Sequence, residues 1–194
     1  MQHKGNIDAT AALDWTFANY PRLTDVVVTV RSAGAISGSI LLRADGGTAL
    51  PQRALHAVRR RGHRRDQLGG GGFDVWGVRN RRAAPDQFVA SLYASAARNY
   101  PRAGFGEYTT YNDNTQINYY TMMGTEIAWT LGMGARIDSL TRYANFSAYV
   151  APGGEHCITP TPRFYSEAVN GVRFRDWFAA LVSGQRVSTR CVER

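Results

Sequence analysis

A serine hydroxyl becomes an effective nucleophile only when a neighbouring base takes its proton and the backbone holds it forward of the fold. Ser32 has a suitable address, in Val30-Arg31-Ser32-Ala33-Gly34, between a β-branched run and a stretch of small residues. The pentapeptide is close to G-x-S-x-G, a turn whose small flanking residues let the chain leave a strand sharply and enter a helix. Val30 stands where that pattern has glycine. Taken alone, a Ser-Ala-Gly turn with no catalytic part accounts for these residues equally well. Two other side chains supply context. Asp113 lies in Tyr111-Asn112-Asp113-Asn114 and His156 in Gly153-Gly154-Glu155-His156-Cys157, each after a strand-like run. Serine, then acid, then histidine is the chain order of the α/β-hydrolase triad, whose acid and histidine ride on loops after later strands. With His156 as general base on Ser32, Asp113 orienting the imidazole and the Ala33 N–H donating to the oxyanion, the set would perform acyl transfer. Plainer readings stand beside this one: Asp113 as a helix cap ahead of Thr115, and His156 as an ordinary loop histidine.

The elements that must position these groups are partly legible. Ile7, Ala11, Trp15 and Ala18, spaced for a helix after Asn6, predict a helix over residues 7–19, with Pro21 beyond it. Val26-Val27-Val28-Thr29-Val30 predicts a strand buried on both faces, as in a parallel sheet, with a helix over 33–42 packed closely on it. From 45 to 84 no period is sustained; Gly46-Gly47, clustered arginines and the run Gly69 to Gly72 predict a loop or lid. Pro85 opens a helix with Phe88, Val89, Leu92, Tyr93 and Ala96 on one face, ending before Pro101. A strand is expected over 105–111, helices over 114–129 and 135–145, and a short strand over 146–150. Phe174, Trp177, Phe178, Leu181 and Val182 form the stripe of a last helix stopped by Gly184. Strands alternating with helices predict an α/β domain with a mainly parallel sheet and flanking helices.

At 194 residues, 44% hydrophobic and 20% charged, the chain has the composition of one globular domain, which excludes disorder, collagen-like repeats and coiled coil. No apolar run approaches eighteen residues, and the polar Met1 to Asn6 has no apolar stretch behind it, so neither a membrane span nor a signal peptide is expected within this sequence. The charge is concentrated: residues 43–83 hold ten of the 23 basic residues against three acids, a net +7. A non-catalytic module that binds nucleic acid or polyanionic glycan through those arginines is the alternative function. One lysine against 22 arginines is equally what GC-rich coding sequence would produce. His3, His56, His63 and His156 lack metal-ligand spacing, and Gly69 to Gly72 lacks both a preceding strand and a following Gly-Lys-Ser/Thr, so neither metal nor cofactor is expected. Tyr108, Tyr111, Tyr119, Tyr120, Met122 and Met123 would line an acyl or sugar pocket or, more simply, belong to the core.

Five segments together resemble the pectin acetylesterase family of Notum-like α/β hydrolases. They are His3-Lys4-Gly5-Asn6 with the helix to Trp15, the strand with Ser32-Ala33-Gly34, Tyr111-Asn112-Asp113, the Gly-Gly-Glu-His-Cys loop, and Gly171-Val172 to Trp177. The resemblance covers residues 1–42 and about 85–194. It implies an α/β-hydrolase fold and a secreted or periplasmic, metal-free serine carboxylesterase acting on a small-molecule or polysaccharide ester. Ser32, Asp113 and His156 stand at its catalytic positions. The implied fold is partial, because 25 residues precede Val26 where the family has several strands and a Gly-rich loop lending a second oxyanion donor. The expectation is therefore a single, incomplete domain over 1–194, the C-terminal part of a larger hydrolase lacking its N-terminal strands, with an irregular segment at about 43–83. A reading-frame shift over about Asp45 to Gly70 would explain that segment. Secretion, as the family implies it, favours a Cys157–Cys191 disulfide closing a loop of ~35 residues and contributing about 4 kcal/mol; two separate thiols are the other reading.

Overall fold

The computed structural model describes residues 5–32, 54–60, 85–122 and 128–192. In chain order its elements are α1 (Gly5–Asn19), β1 (Asp25–Val30), β2 (Ala54–Arg60), α2 (Pro85–Asn99), β3 (Gly104–Thr110), α3 (Asn114–Met122), α4 (Trp129–Leu140), β4 (Phe146–Ala151), α5 (Arg163–Ser166), β5 (Ala168–Val169), β6 (Val172–Arg173), α6 (Phe174–Val182) and β7 (Thr189–Arg190). Among the described residues five strands form one sheet in the order β1-β2-β3-β4-β7, every neighbouring pair parallel. The protein is thus an α/β fold, a parallel sheet with flanking helices. β5 and β6 make a separate antiparallel hairpin. Asn170 and Gly171 turn it at φ 52° and 79°, the two positive angles that an Asn-Gly hairpin turn requires.

A central parallel strand meets packing on both faces, and all seven residues of β3 and all six of β4 are buried. On one face Phe105, Phe146, Ala148 and Val150 pack against Leu92, Tyr93 and Ala96 of α2 and Trp129, Met133, Ile137 and Leu140 of α4. The other face is aromatic. Tyr108 and Tyr149 stack at 5.9 Å, and Phe174 of α6 meets them edge-on at 5.1 and 5.3 Å. α6 comes this close because β3 carries Gly106, where a Cβ would overlap Leu181 and touch Trp177. Gly184, at φ 81°, ends α6; its N–H donates to Leu181 O and that of Gln185 to Ala180 O, a Schellman closure. Among the described residues no helix is long and apolar enough to cross a membrane.

One ion pair is sealed inside this core. Arg136 on α4 donates through Nη2 to Glu107 Oε1 on β3 at 2.6 Å, with side chains 4% and 0% exposed, and its guanidinium lies 5.6 Å from the Trp129 ring. Removing one member of such a pair leaves a desolvated charge behind. Arg136→Met is therefore expected to lower the unfolding free energy by about 3–5 kcal/mol in a urea titration, with much of the loss regained when Glu107 is also made apolar. A loss below about 1 kcal/mol would place the pair with weak surface bridges.

The structure departs from the sequence expectations at four places. β2 runs through the segment expected to be a loop: Ala54–Arg60 is laddered in parallel to β1 on one side and β3 on the other. Its residues show no strand period, and pairing on both edges decides the conformation where propensity is weak. β1 is not buried on both faces. Among the described residues it pairs on one side, and its exposure alternates residue by residue. The helix expected over 135–145 is α4, Trp129–Leu140, while α3 ends at Met122 and not at 129. Gly132 and Gly134 depress the helix propensity of α4. Both sit where a Cβ would crowd a neighbour, Tyr120 Oη at 3.1 Å and Arg190 Nη2 at 3.0 Å. Finally, Cys157 and Cys191 are two half-buried thiols with no disulfide between them. The helix expected over 33–42 and the rest of the 43–83 segment lie outside the described residues.

Candidate active site

The sheet delivers three side chains to the same end. Ser32 follows β1 by two residues, Asp113 follows β3 by three and His156 follows β4 by five. All three therefore lie beyond the C-terminal ends of parallel strands, the edge at which open α/β sheets place their ligands. There they are joined: His156 Nε2 is 3.0 Å from Ser32 Oγ, and His156 Nδ1 is 2.9 Å from Asp113 Oδ2 and 3.1 Å from Oδ1. Asp113 accepts only hydrogen bonds as a carboxylate, so Nδ1–H donates to it, and Nε2 is left to accept from the Ser32 hydroxyl. The Asp113 side chain is 4% exposed and that of His156 16%, and Ser32 is half-buried.

Each member is held by a separate local device. Ser32 has φ 51°, a left-handed backbone that costs a non-glycine residue about 1–3 kcal/mol and recurs at sites of function. Asp113 is fixed by the helix it precedes: the Gln116 N–H donates to its Oδ1 at 3.0 Å, so the carboxylate caps α3 while also holding the imidazole. One carboxylate thus both caps α3 and accepts from the imidazole.

The histidine loop is fixed by extending the β3–β4 pairing past the strand ends. Tyr111 N–H donates to Ala151 O at 2.8 Å, and the N–H groups of Asn112 and Asn114 donate to Gly153 O and Gly154 O at 3.0 Å. Thr110 Oγ1 donates to Glu155 O at 2.8 Å. Gly153 has φ 92°, and a Cβ on Gly154 would overlap the Asn114 carboxamide, so the glycine pair permits the close approach of the two loops. Beneath them Tyr149 donates its hydroxyl to Val172 O at 2.8 Å; burial, and then the Glu167 carboxylate, push its pKa up to about 12.

Ala33, expected to donate to the oxyanion, lies outside the described residues, as does Met123. The tyrosines and methionines read as a pocket or, more simply, as core divide: Tyr111 packs against the α2–α4 side of the core. Tyr108 is in the aromatic core, Tyr120 packs edge-on to Trp129 at 5.6 Å, and Tyr119 and Met122 are exposed. Among the described residues no group of three His, Cys, Asp or Glu side chains is arranged to hold a metal ion. Sequence reasoning missed the charged side chains behind the histidine loop, where Arg163 pairs with Glu155 and Glu167. The i,i+4 spacing of Arg163 and Glu167 was the signal that could have found them.

No family model matches the chain, and no curated protein matches it. Among solved structures it is similar to an esterase from Pyrococcus furiosus at 14% identity and a TM-score of 0.42, over 77% of this chain and 53% of that one. The chain thus spans about half the length of that esterase, and likeness at this level assigns it neither an activity nor a family.

Proposed function

We propose that this chain is a serine carboxylesterase of the pectin acetylesterase type, built on the α/β-hydrolase plan and hydrolysing its ester through an acyl-serine intermediate. The observation that carries the reading is the hydrogen-bonded chain from Ser32 Oγ through the His156 ring to Asp113, at 3.0 and 2.9 Å. In the first half-reaction Ser32 Oγ attacks the ester carbonyl carbon while His156 Nε2 takes the hydroxyl proton. Asp113 retains the Nδ1–H bond and stabilises the imidazolium that forms. The tetrahedral oxyanion is met by the Ala33 N–H, and its collapse breaks the C–O bond as Nε2 returns the proton to the departing alcohol. Water then repeats the sequence on the acyl-serine and releases the carboxylic acid. A small-molecule or polysaccharide ester as substrate, and a secreted or periplasmic site of action, are proposed from the family resemblance.

The test is exposure to a serine-reactive fluorophosphonate followed by intact mass measurement. One covalent adduct per chain is expected. A protein that folds and gains no mass would contradict the reading.

A further inference from the structure

The side chain preceding the candidate base is tied to the protein core by one guanidinium. Arg163 on α5 pairs with the Glu155 carboxylate and, on its other side, with Glu167, where Nε donates to Oε2 at 2.8 Å. Glu155 immediately precedes His156, and its backbone carbonyl already accepts from Thr110 Oγ1 at 2.8 Å. Glu167 is anchored: its side chain is 6% exposed, and its carbonyl accepts from Phe174 N at 2.9 Å and from Tyr149 Oη at 3.3 Å. The guanidinium therefore connects a carboxylate set in the aromatic core to a carboxylate one residue from the imidazole. A planar fork of donors can hold two carboxylates in fixed directions, which a point charge cannot.

We propose that Arg163 is a positioning residue for His156. By holding Glu155 toward Glu167 it fixes the loop at a second point besides the Thr110 bond and keeps Nε2 within hydrogen-bond reach of Ser32. The role is specific to the esterase proposed above. The Arg163–Glu155 half of the tie is exposed and contributes little to stability, so in Glu155→Gln the effect falls on turnover more than on melting, since misplacing a reacting group by about 1 Å can cost on the order of a hundredfold.

The experiment compares the intact chain with Glu155→Gln, Arg163→Gln and the double variant. It reads hydrolysis of 4-nitrophenyl acetate, thermal melting, and the proton NMR resonance of the Nδ1–H that His156 donates to Asp113. Glu155→Gln cuts the loop end while leaving the Arg163–Glu167 pair, so it remains informative even if Arg163→Gln folds poorly. Each single change is expected to lower kcat roughly 10- to 100-fold with KM within about twofold, and to broaden the imidazole resonance. The double variant is expected to be no worse than the poorer single one, because both changes sever one connection. Wild-type kcat and an unchanged resonance in Glu155→Gln, or losses that multiply in the double variant, would overturn the proposal. Failure of the esterase reading shows separately, as hydrolysis that survives Ser32→Ala; the imidazole resonance still reports whether the tie holds His156.

Discussion

Ser32→Ala is expected to lower kcat/KM for a nitrophenyl ester by roughly 10⁴- to 10⁶-fold, with the melting temperature nearly unchanged. The size follows from the covalent route: without Oγ there is no acyl-enzyme, and what remains is the modest catalysis of binding and oxyanion stabilisation. The stability is expected to hold because serine and alanine share a Cβ, so the strain at φ 51° is the same in both. The hydroxyl's hydrogen bond is to His156 Nε2, and Ser32 is only half-buried, so water can replace it. Steady-state kinetics with a melting curve checks both halves. A residual rate within tenfold of wild type would remove Ser32 from the chemistry.

Asp113→Asn is the second large effect, and it separates the two tasks that one carboxylate performs. Asparagine caps a helix about as well as aspartate, so the Gln116 N–H keeps an acceptor and α3 keeps its first turn. Asparagine cannot hold the imidazole in the tautomer whose Nε2 is free to take the serine proton, and a comparable change in a serine protease costs about 10⁴ in turnover. The expected result is a variant that melts close to wild type and turns over about 10⁴-fold more slowly. Asp113→Ala, by contrast, loses the cap as well, for about 1 kcal/mol of stability. If Asp113→Asn kept nearly full activity while Asp113→Ala lost stability alone, the residue would be a cap and nothing more.

The contrast between what was legible in the sequence and what was not has a physical basis. Ser32, Asp113 and His156 could be brought together from chain order because each follows a strand, and parallel strands deliver their successors to one edge. α6 was legible because Phe174, Trp177 and Leu181 repeat at helical spacing and all three are buried. α4 was misplaced because Gly132 and Gly134 answer to packing by Tyr120 and Arg190, which no local pattern records. β2 was missed because its conformation comes from ladders to β1 and β3, formed with residues far off in sequence. Asn170-Gly171 is a strong local hairpin signal, and the chain turns there. A disulfide was expected on an argument about compartment, and compartment says nothing about whether Cys157 and Cys191 are positioned to bridge.

The measurement that bears most directly on the proton relay is the location of the fluorophosphonate adduct. Cleavage after Arg31 and Arg43 isolates residues 32–43, with Ser32 at the first position. The adduct is expected on Ser32 in that peptide, and His156→Ala is expected to abolish its formation. An adduct on another residue, or labelling of Ser32 in His156→Ala at the wild-type rate, would contradict it.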